Sequence, residues 1–409
     1  MKTEQRSRLI GGVEKLFLVL NRIAPKTFAM SAELDGILSV DQLKQFARAI
    51  QQRHPNLGAK LIVDEDQNYS FCYDDSRPLE VNVIEDPDPT RWKRLVESEI
   101  AKPFDLSEGP LFRFFMLTEE TKIRIVLLAH HSIGDGFSMV NIFADLLRFL
   151  NGDFPANLPV PESMDQMLGI EDRKTADAKN EDIKSFQREY LDPEEGKIYI
   201  DSLKLDRQSS AAILEASRLN GVTFNGLLNA ALAIAIVEKG YSRTNRVIAL
   251  RTPASVRKVL SSENDFALNI VTRLTELKIN SLPDLWELGR KVNGDLKNIG
   301  SKEETLEYVS QFRHLLFQPM EFEWFVNVIK STGGIDLMLS NLGKIDLGDI
   351  GNELKITSLW GPMVIAGDGS EQTVGALSIG GALHLTHTSM EPVNGLLKKA
   401  CEIILDNIS

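Results

Sequence analysis

Apolar positions along this chain follow two rhythms that alternate from one end to the other. Leu43, Phe46, Ala47 and Ile50 recur at three- and four-residue spacing and predict a helix over 40–52. Residues 90–102 and the strongly apolar stretch 137–150 predict two more. Short continuous apolar runs predict buried strands at LFLVL (16–20), LFRFFML (111–117) and IRIVLLAHH (123–131). AKLIVDEDQNYSFCYDD predicts a hairpin with Asp64, Glu65 and Asp66 at its tip. In the second half IYIDSLKLD, RVIALRT, ALNIVTRLTELKI, DLMLSNLG, NELKITSLW and ALSIGGALHLTHT read as strands. Helices are predicted at 208–218, in FNGLLNAALAIAIVEKG up to Gly240, and at 283–298, 302–316 and 393–408. Strands and helices mix in both halves without a short-period repeat, which makes the class α/β.

The pattern lapses between 151 and 195, where Pro155, Pro159, Pro161, Pro193 and the polar run EDRKTADAKNED fall. At 409 residues the chain is long for one core; roughly 200 residues per unit suits two. We therefore expect subdomains at 1–165 and 196–409 joined by a linker at 166–195. Acidic residues outnumber basic ones by 58 to 46, for a net charge of -12, which argues against a nucleic-acid binder. No segment approaches the roughly 20 uninterrupted apolar residues of a membrane span. Glu14 and Lys15 interrupt the N-terminal apolar stretch, which reads as a mature start and not as a signal peptide. Cys72 and Cys401 lie far apart, fit a reducing cytoplasm, and read as core residues.

The chemistry concentrates in IRIVLLAHHSIGDGFSM, residues 123–139. Two imidazoles at the end of a buried strand need partners or a task. Adjacent strand residues point to opposite faces, so His130 and His131 do not share a metal, and no third ligand follows at a suitable spacing. One ring facing the core and the other a cavity is the better reading, the latter positioned to accept a proton. Gly134 and Gly136 would permit a sharp strand-to-helix reversal. A buried Asp135 calls for a cation, with arginine the usual one.

HHSIGDG has the form H-H-x-x-x-D-G and resembles the signature of the chloramphenicol acetyltransferase and condensation-domain acyltransferase superfamily. Arg53-His54-Pro55, FDLSEGPLFR (104–113), VIALR (247–251) and SNLG (340–343) resemble further family segments in the family's order, although Gly58 departs from the usual R-H-P-x-L-R. Stand-alone bacterial O-acyltransferases of the polyketide-associated, alcohol acetyltransferase and wax-ester synthase type are the most similar members. The resemblance implies two related subdomains, each a mixed sheet with flanking helices, and an active-site tunnel between them. It implies His131 as general base, His130 as structural, Gly136 at the turn, and Asp135 paired with Arg251, with Arg257 as the second candidate. Asn341 or Ser340 would supply the oxyanion donor.

The implied reaction moves an acyl group from acyl-CoA or an acyl-carrier thioester to an alcohol, with no tightly bound cofactor, no metal and no covalent acyl-enzyme. An amine acceptor, and so a free-standing condensation enzyme, is the nearest alternative; a silent scaffold is the alternative from another class. An acyl or peptidyl carrier protein is a candidate partner. Donor recruitment would use a basic face of Arg257, Lys258, Arg290, Lys291, Lys297 and Lys302. His384 and His387, three apart on a strand, should face opposite ways in structural roles, as should His314 on its helix. AGDGSEQ (366–372) lacks a phosphate-loop pattern and reads as a turn.

Overall fold

The computed structural model describes residues 6–63, 68–74, 76–85, 88, 90–118, 122–170, 183–186, 197–241, 246–317, 324–325, 327, 334–348 and 354–408. The expected hairpin tip at 64–66 and most of the expected linker, 171–182 and 187–195, lie outside these residues.

The strands are β1 (Arg6–Leu9), β2 (Thr27–Asp35), β3 (Ala59–Val63), β4 (Tyr69–Tyr73), β5 (Val81–Glu85), β6 (Phe112–Thr118), β7 (Ile123–His130), β8 (Tyr199–Leu205), β9 (Val247–Ser255), β10 (Ile270–Lys278), β11 (Leu337–Ile345), β12 (Lys355–Val364), β13 (Gln372–Ile379) and β14 (Ala382–Ser389). The helices are α1 (Gly12–Leu20), α2 (Val40–Arg53), α3 (Arg91–Ala101), α4 (Gly136–Leu150), α5 (Met164–Met167), α6 (Arg207–Leu219), α7 (Phe224–Glu238), α8 (Arg257–Leu260), α9 (Leu285–Asp295), α10 (Lys302–Leu316) and α11 (Leu396–Asp406).

Two mixed sheets form the frame, a five-stranded one ordered β12-β2-β7-β6-β5 and a six-stranded one ordered β10-β9-β11-β13-β14-β8. A small third sheet, β1-β4-β3, pairs with neither but packs Leu61, Tyr69 and Phe71 into the same apolar cluster as the five-stranded sheet. The β5–β6, β9–β11 and β11–β13 pairs run parallel, and the other pairs are antiparallel. One core joins β2, β6 and β7 to α2 and α4 through Phe28, Met30, Phe46, Phe114, Leu127 and Phe143. The other joins the six-stranded sheet to α7 and α11 through Leu227, Ile234, Ile248, Leu250, Leu385 and Leu396. Helix α7 is apolar nearly all round because it is buried nearly all round. Among the described residues no single helix is long and apolar enough to cross a membrane.

Three sequence expectations change. LFLVL is the second half of helix α1 and not a strand. A short apolar run does not distinguish a buried strand from a buried helix. Here the deciding interactions lie upstream, where Gly11 N–H donates to the Glu14 carboxylate at 2.7 Å and Gly12 N–H to Asp165 at 2.9 Å. Strand β2 was not among the expected elements, although it lies inside the five-stranded sheet between β12 and β7. Core residues pack on both of its faces, Phe28 and Met30 on one and Ala29 on the other, so TFAMSAELD shows no alternation to read. Finally, the sheets do not divide by chain order: β12, far into the second half, pairs antiparallel with β2 of the first.

Candidate active site

Strand β7 delivers the histidine pair. His131 N–H donates to the Lys26 carbonyl at 2.7 Å, which ties the residue after β7 to the segment just before β2. Its ring lies between Phe17 of α1 and Phe28 of β2, with centroids 4.4 Å and 4.6 Å away. His131 Nδ1 is 2.9 Å from the Gly134 carbonyl oxygen. A carbonyl only accepts, so Nδ1 carries the proton and Nε2 presents a lone pair. His130 has the opposite tautomer: its Nδ1 accepts from the Ser132 N–H at 3.2 Å, with the Ser132 hydroxyl at 2.7 Å. Its Nε2 is buried without a hydrogen-bond partner, and its ring stands edge-on to Phe104. The two rings therefore differ in tautomer and in partners.

Burial pushes the His131 pKa down to about 4, partly opposed by Asp135, and pushes His130 down to about 3. Both rings are neutral at neutral pH, the state a proton acceptor needs. Burial likewise holds His384 and His387 near 4. Each of these groups titrates near 6.5 when unfolded. Below that pH the unfolded chain binds more protons than the native one, so stability is full above about 6.5 and falls as pH drops toward 4. Thermal melts at stepped pH should show this loss between 6.5 and 4. Alanine at His384 and His387 together should reduce its size.

Asp135 is the N-cap of α4, its Oδ1 accepting from Ser138 N–H at 3.0 Å. The same Oδ1 receives Arg257 Nη2 at 2.8 Å, and Oδ2 receives Asn269 N–H at 3.0 Å. Asp135 thus pairs with Arg257 and not with Arg251. Arg257 opens the one-turn helix α8, and its guanidinium also donates to the carbonyls of Ser262, Asp265 and Ala267. Arg251 lies within β9, where its Nη1 donates to Thr272 Oγ1 at 3.2 Å. Because Arg257 is buried in this pair, it is also absent from the expected basic face. Lys258, Arg290, Lys291, Lys297 and Lys302 remain exposed, although Lys291 pairs with Asp295 at 2.6 Å.

Neither Gly134 nor Gly136 adopts a positive φ, so the reversal into α4 does not depend on left-handed backbone. What both positions require is close approach. A Cβ on Gly134 would lie 2.6 Å from the Phe266 ring, and one on Gly136 would lie 2.8 Å from Pro362 and 3.0 Å from Leu342. Gly134→Ala is expected to cost roughly 1–3 kcal/mol by overpacking. Chemical denaturation would measure it, and Phe266→Leu in the same chain should restore part of the loss.

Residues that sequence reasoning missed complete the clamp. Asn56 Nδ2 donates both to the Ile133 carbonyl at 3.1 Å and to the Phe266 carbonyl at 2.8 Å, joining the His131 loop to the second half. Ser138 Oγ donates to the Ala267 carbonyl at 3.0 Å. Asn56 immediately follows Arg53-His54-Pro55, the one signal that could have pointed to it. Arg53 and His54 themselves both reach the buried Asp145, at 2.8 Å and 2.9 Å.

Asn341 sits where the β11–β13 register shifts, and its Oδ1 accepts from Gly343 N–H at 2.9 Å. Its strand neighbour Leu342 packs beside Gly136, and Ser340 precedes it half-buried. His384 packs on Trp360 and His387 on Tyr199 and Gln372, on opposite faces of β14. His314 is exposed, and both cysteines are buried and free. Among the described residues no three His, Cys, Asp or Glu side chains converge as metal ligands do.

A family model described as Condensation domain matches residues 16–265, which include the whole His131 loop and Arg257. The chain belongs to the condensation-domain family. Polyketide synthase PksN of Bacillus subtilis is 23% identical over 274 residues, a match that covers 64% of this chain and 5% of that protein. The chain therefore spans only a small part of that relative. Among solved structures, polyketide synthase associated protein 5 from Mycobacterium tuberculosis superposes with a TM-score of 0.65 at 16% identity, covering 98% of this chain and 97% of the other. The first condensation domain of the CDA synthetase superposes with a TM-score of 0.68 at 12% identity, covering 98% and 96%. At these identities the superpositions establish the condensation-domain fold over essentially the full chain.

Proposed function

We propose that this condensation-family chain transfers an acyl group from a CoA or carrier-protein thioester to an acceptor hydroxyl, with His131 as general base. The tautomer of His131 carries the reading: Nδ1–H is committed to the Gly134 carbonyl, which leaves Nε2 as a neutral acceptor held between two phenylalanine rings. Nε2 takes the hydroxyl proton as the oxygen attacks the thioester carbonyl. The tetrahedral intermediate then collapses, the C–S bond breaks, and the departing thiolate receives the proton back from the imidazolium. Asn341 is the candidate oxyanion donor, since its Oδ1 is engaged by Gly343 and its Nδ2 is the group left to donate.

An amine acceptor is the second reading, favoured by the match to a condensation model and by a synthase relative. The same base would serve, and the product would be an amide. Mass spectrometry of products after incubation with a panel of acyl thioesters, alcohols and amines separates the two. Ester products that vanish in His131→Ala support the first reading, and amides alone would replace it with the second. Turnover that survives in His131→Ala would remove both.

A further inference from the structure

With Asp135 assigned to Arg257, Arg251 has no ion pair among the described residues. The arginines buried most deeply among the described residues are matched to acids: Arg53 to Asp145, Arg124 to Glu33, Arg257 to Asp135 and Arg313 to Asp165. Arg251 is half-buried, and its one hydrogen bond among the described residues is the donation to Thr272 Oγ1. A guanidinium has five N–H donors in a planar fork, so most of this one is uncommitted.

Its direction is set by the strand. Ile248 and Leu250 enter the core beneath α7, so alternation turns Arg251 to the other face of β9. Its register neighbours are Met338 on β11 and Leu274 on β10. Met338, 8% exposed, belongs to the same apolar cluster as Phe28, Ile133 and Leu342, which surround the His131 loop, whereas Leu274 is 41% exposed. Arg251 therefore stands between solvent at Leu274 and the apolar cluster that Met338 shares with the residues around the His131 loop. Behind it the Thr272 hydroxyl lies 3.2 Å from the Tyr308 phenol, itself packed on Phe312 of that cluster.

We propose that Arg251, held by Thr272, binds a carboxylate carried by one of the substrates, so that the enzyme handles an acidic acceptor or an acyl group ending in an acid. The proposal rests on the acyl-transfer reading of His131 for what the carboxylate is attached to. A carboxylate matches the fork bidentately and balances one positive charge with one negative. Glu276 and Asp336, both beside Ala249, place negative charge two positions along β9, so a singly charged carboxylate is better accommodated there than a phosphate dianion. On a chain of net charge -12, one exposed edge of a guanidinium also offsets the repulsion an anionic substrate would meet.

Matched probes isolate the effect. Succinyl-CoA and butyryl-CoA share every phosphate and differ at the end of the acyl chain, and 3-hydroxybutyrate and its methyl ester make the corresponding acceptor pair. Titration calorimetry on the full chain should show the acidic member of one pair binding roughly 10–100-fold tighter. Arg251→Gln should abolish that preference and leave the neutral member's affinity unchanged, while Arg251→Lys should keep part of it. Melting temperatures of both variants check that the fold is intact. Equal binding within both pairs overturns the proposal, as does a preference that survives Arg251→Gln. So does an Arg251-dependent preference seen only for phosphopantetheine over pantetheine. Because binding is read without turnover, His131→Ala should retain the preference, and a failure of acyl transfer would show separately in the product assay.

Discussion

Alanine at His131 is expected to reduce turnover by roughly 10²–10⁴-fold, the usual contribution of a positioned general base. The variant should still fold through the retained backbone bond to Lys26, with a modest fall in melting temperature from the lost contacts with Phe17, Phe28 and the Gly134 carbonyl. Alanine at His130 should give the reverse. That ring fills space beside Phe104 and accepts from Ser132, so its loss opens a cavity under the loop and lowers the melting temperature. Rates and melts on the two variants check the assignment, and interchanged phenotypes would reverse it. A pH–rate profile adds a second measure. With the base held near 4, kcat/KM should not fall through 6.5 as an exposed histidine would make it fall, provided the chain is still folded there.

The Asp135–Arg257 pair should show a large stability effect. Both side chains are nearly inaccessible, at 1% and 5% exposure, and their bond joins the His131 loop to the second half. Removing one partner leaves a buried charge, at a cost of roughly 3–5 kcal/mol. Asp135→Asn and Arg257→Met should each approach that figure. The double variant should lose clearly less than the sum, since the second change removes the charge that the first left unpaired. Arg251→Met should be close to neutral in the same denaturation series. Strong coupling of Asp135 to Arg251 instead would return the pairing to β9.

Much of this architecture was legible because local chemistry and burial agree. Leu43, Phe46, Ala47 and Ile50 repeat on one helical face and are all buried, and the α/β class follows from such segments. The seven residues from His130 to Gly136 were legible as a unit because two imidazoles, an acid and two glycines have little reason to adjoin at the end of an apolar strand. The partner of Asp135 was not legible, because Arg251 and Arg257 lie six residues apart on one chain. Only the turn after β9 decides which of them reaches α4. The role of the glycines was misread for a related reason. A sequence shows that a glycine is present, but Phe266 and Pro362, which crowd Gly134 and Gly136, arrive from far along the chain. Strand β2 escaped because burial on both faces removes the alternation that betrays a strand.

The pairing of β12 with β2 also constrains how the protein is made. A ribosome releases residues 27–35 long before residues 355–364, yet the five-stranded sheet has an unfilled edge at β2 until the later strand arrives. While the intervening residues are made, the nascent chain thus carries an open strand edge at β2, and the docking of β12 closes a loop of some hundreds of residues. Closing so long a loop is slow because its entropy must be lost before the pairing stabilises anything. The step that seals the sheet also brings Pro362 against Gly136, so the His131 loop acquires this wall only after residue 362 has emerged.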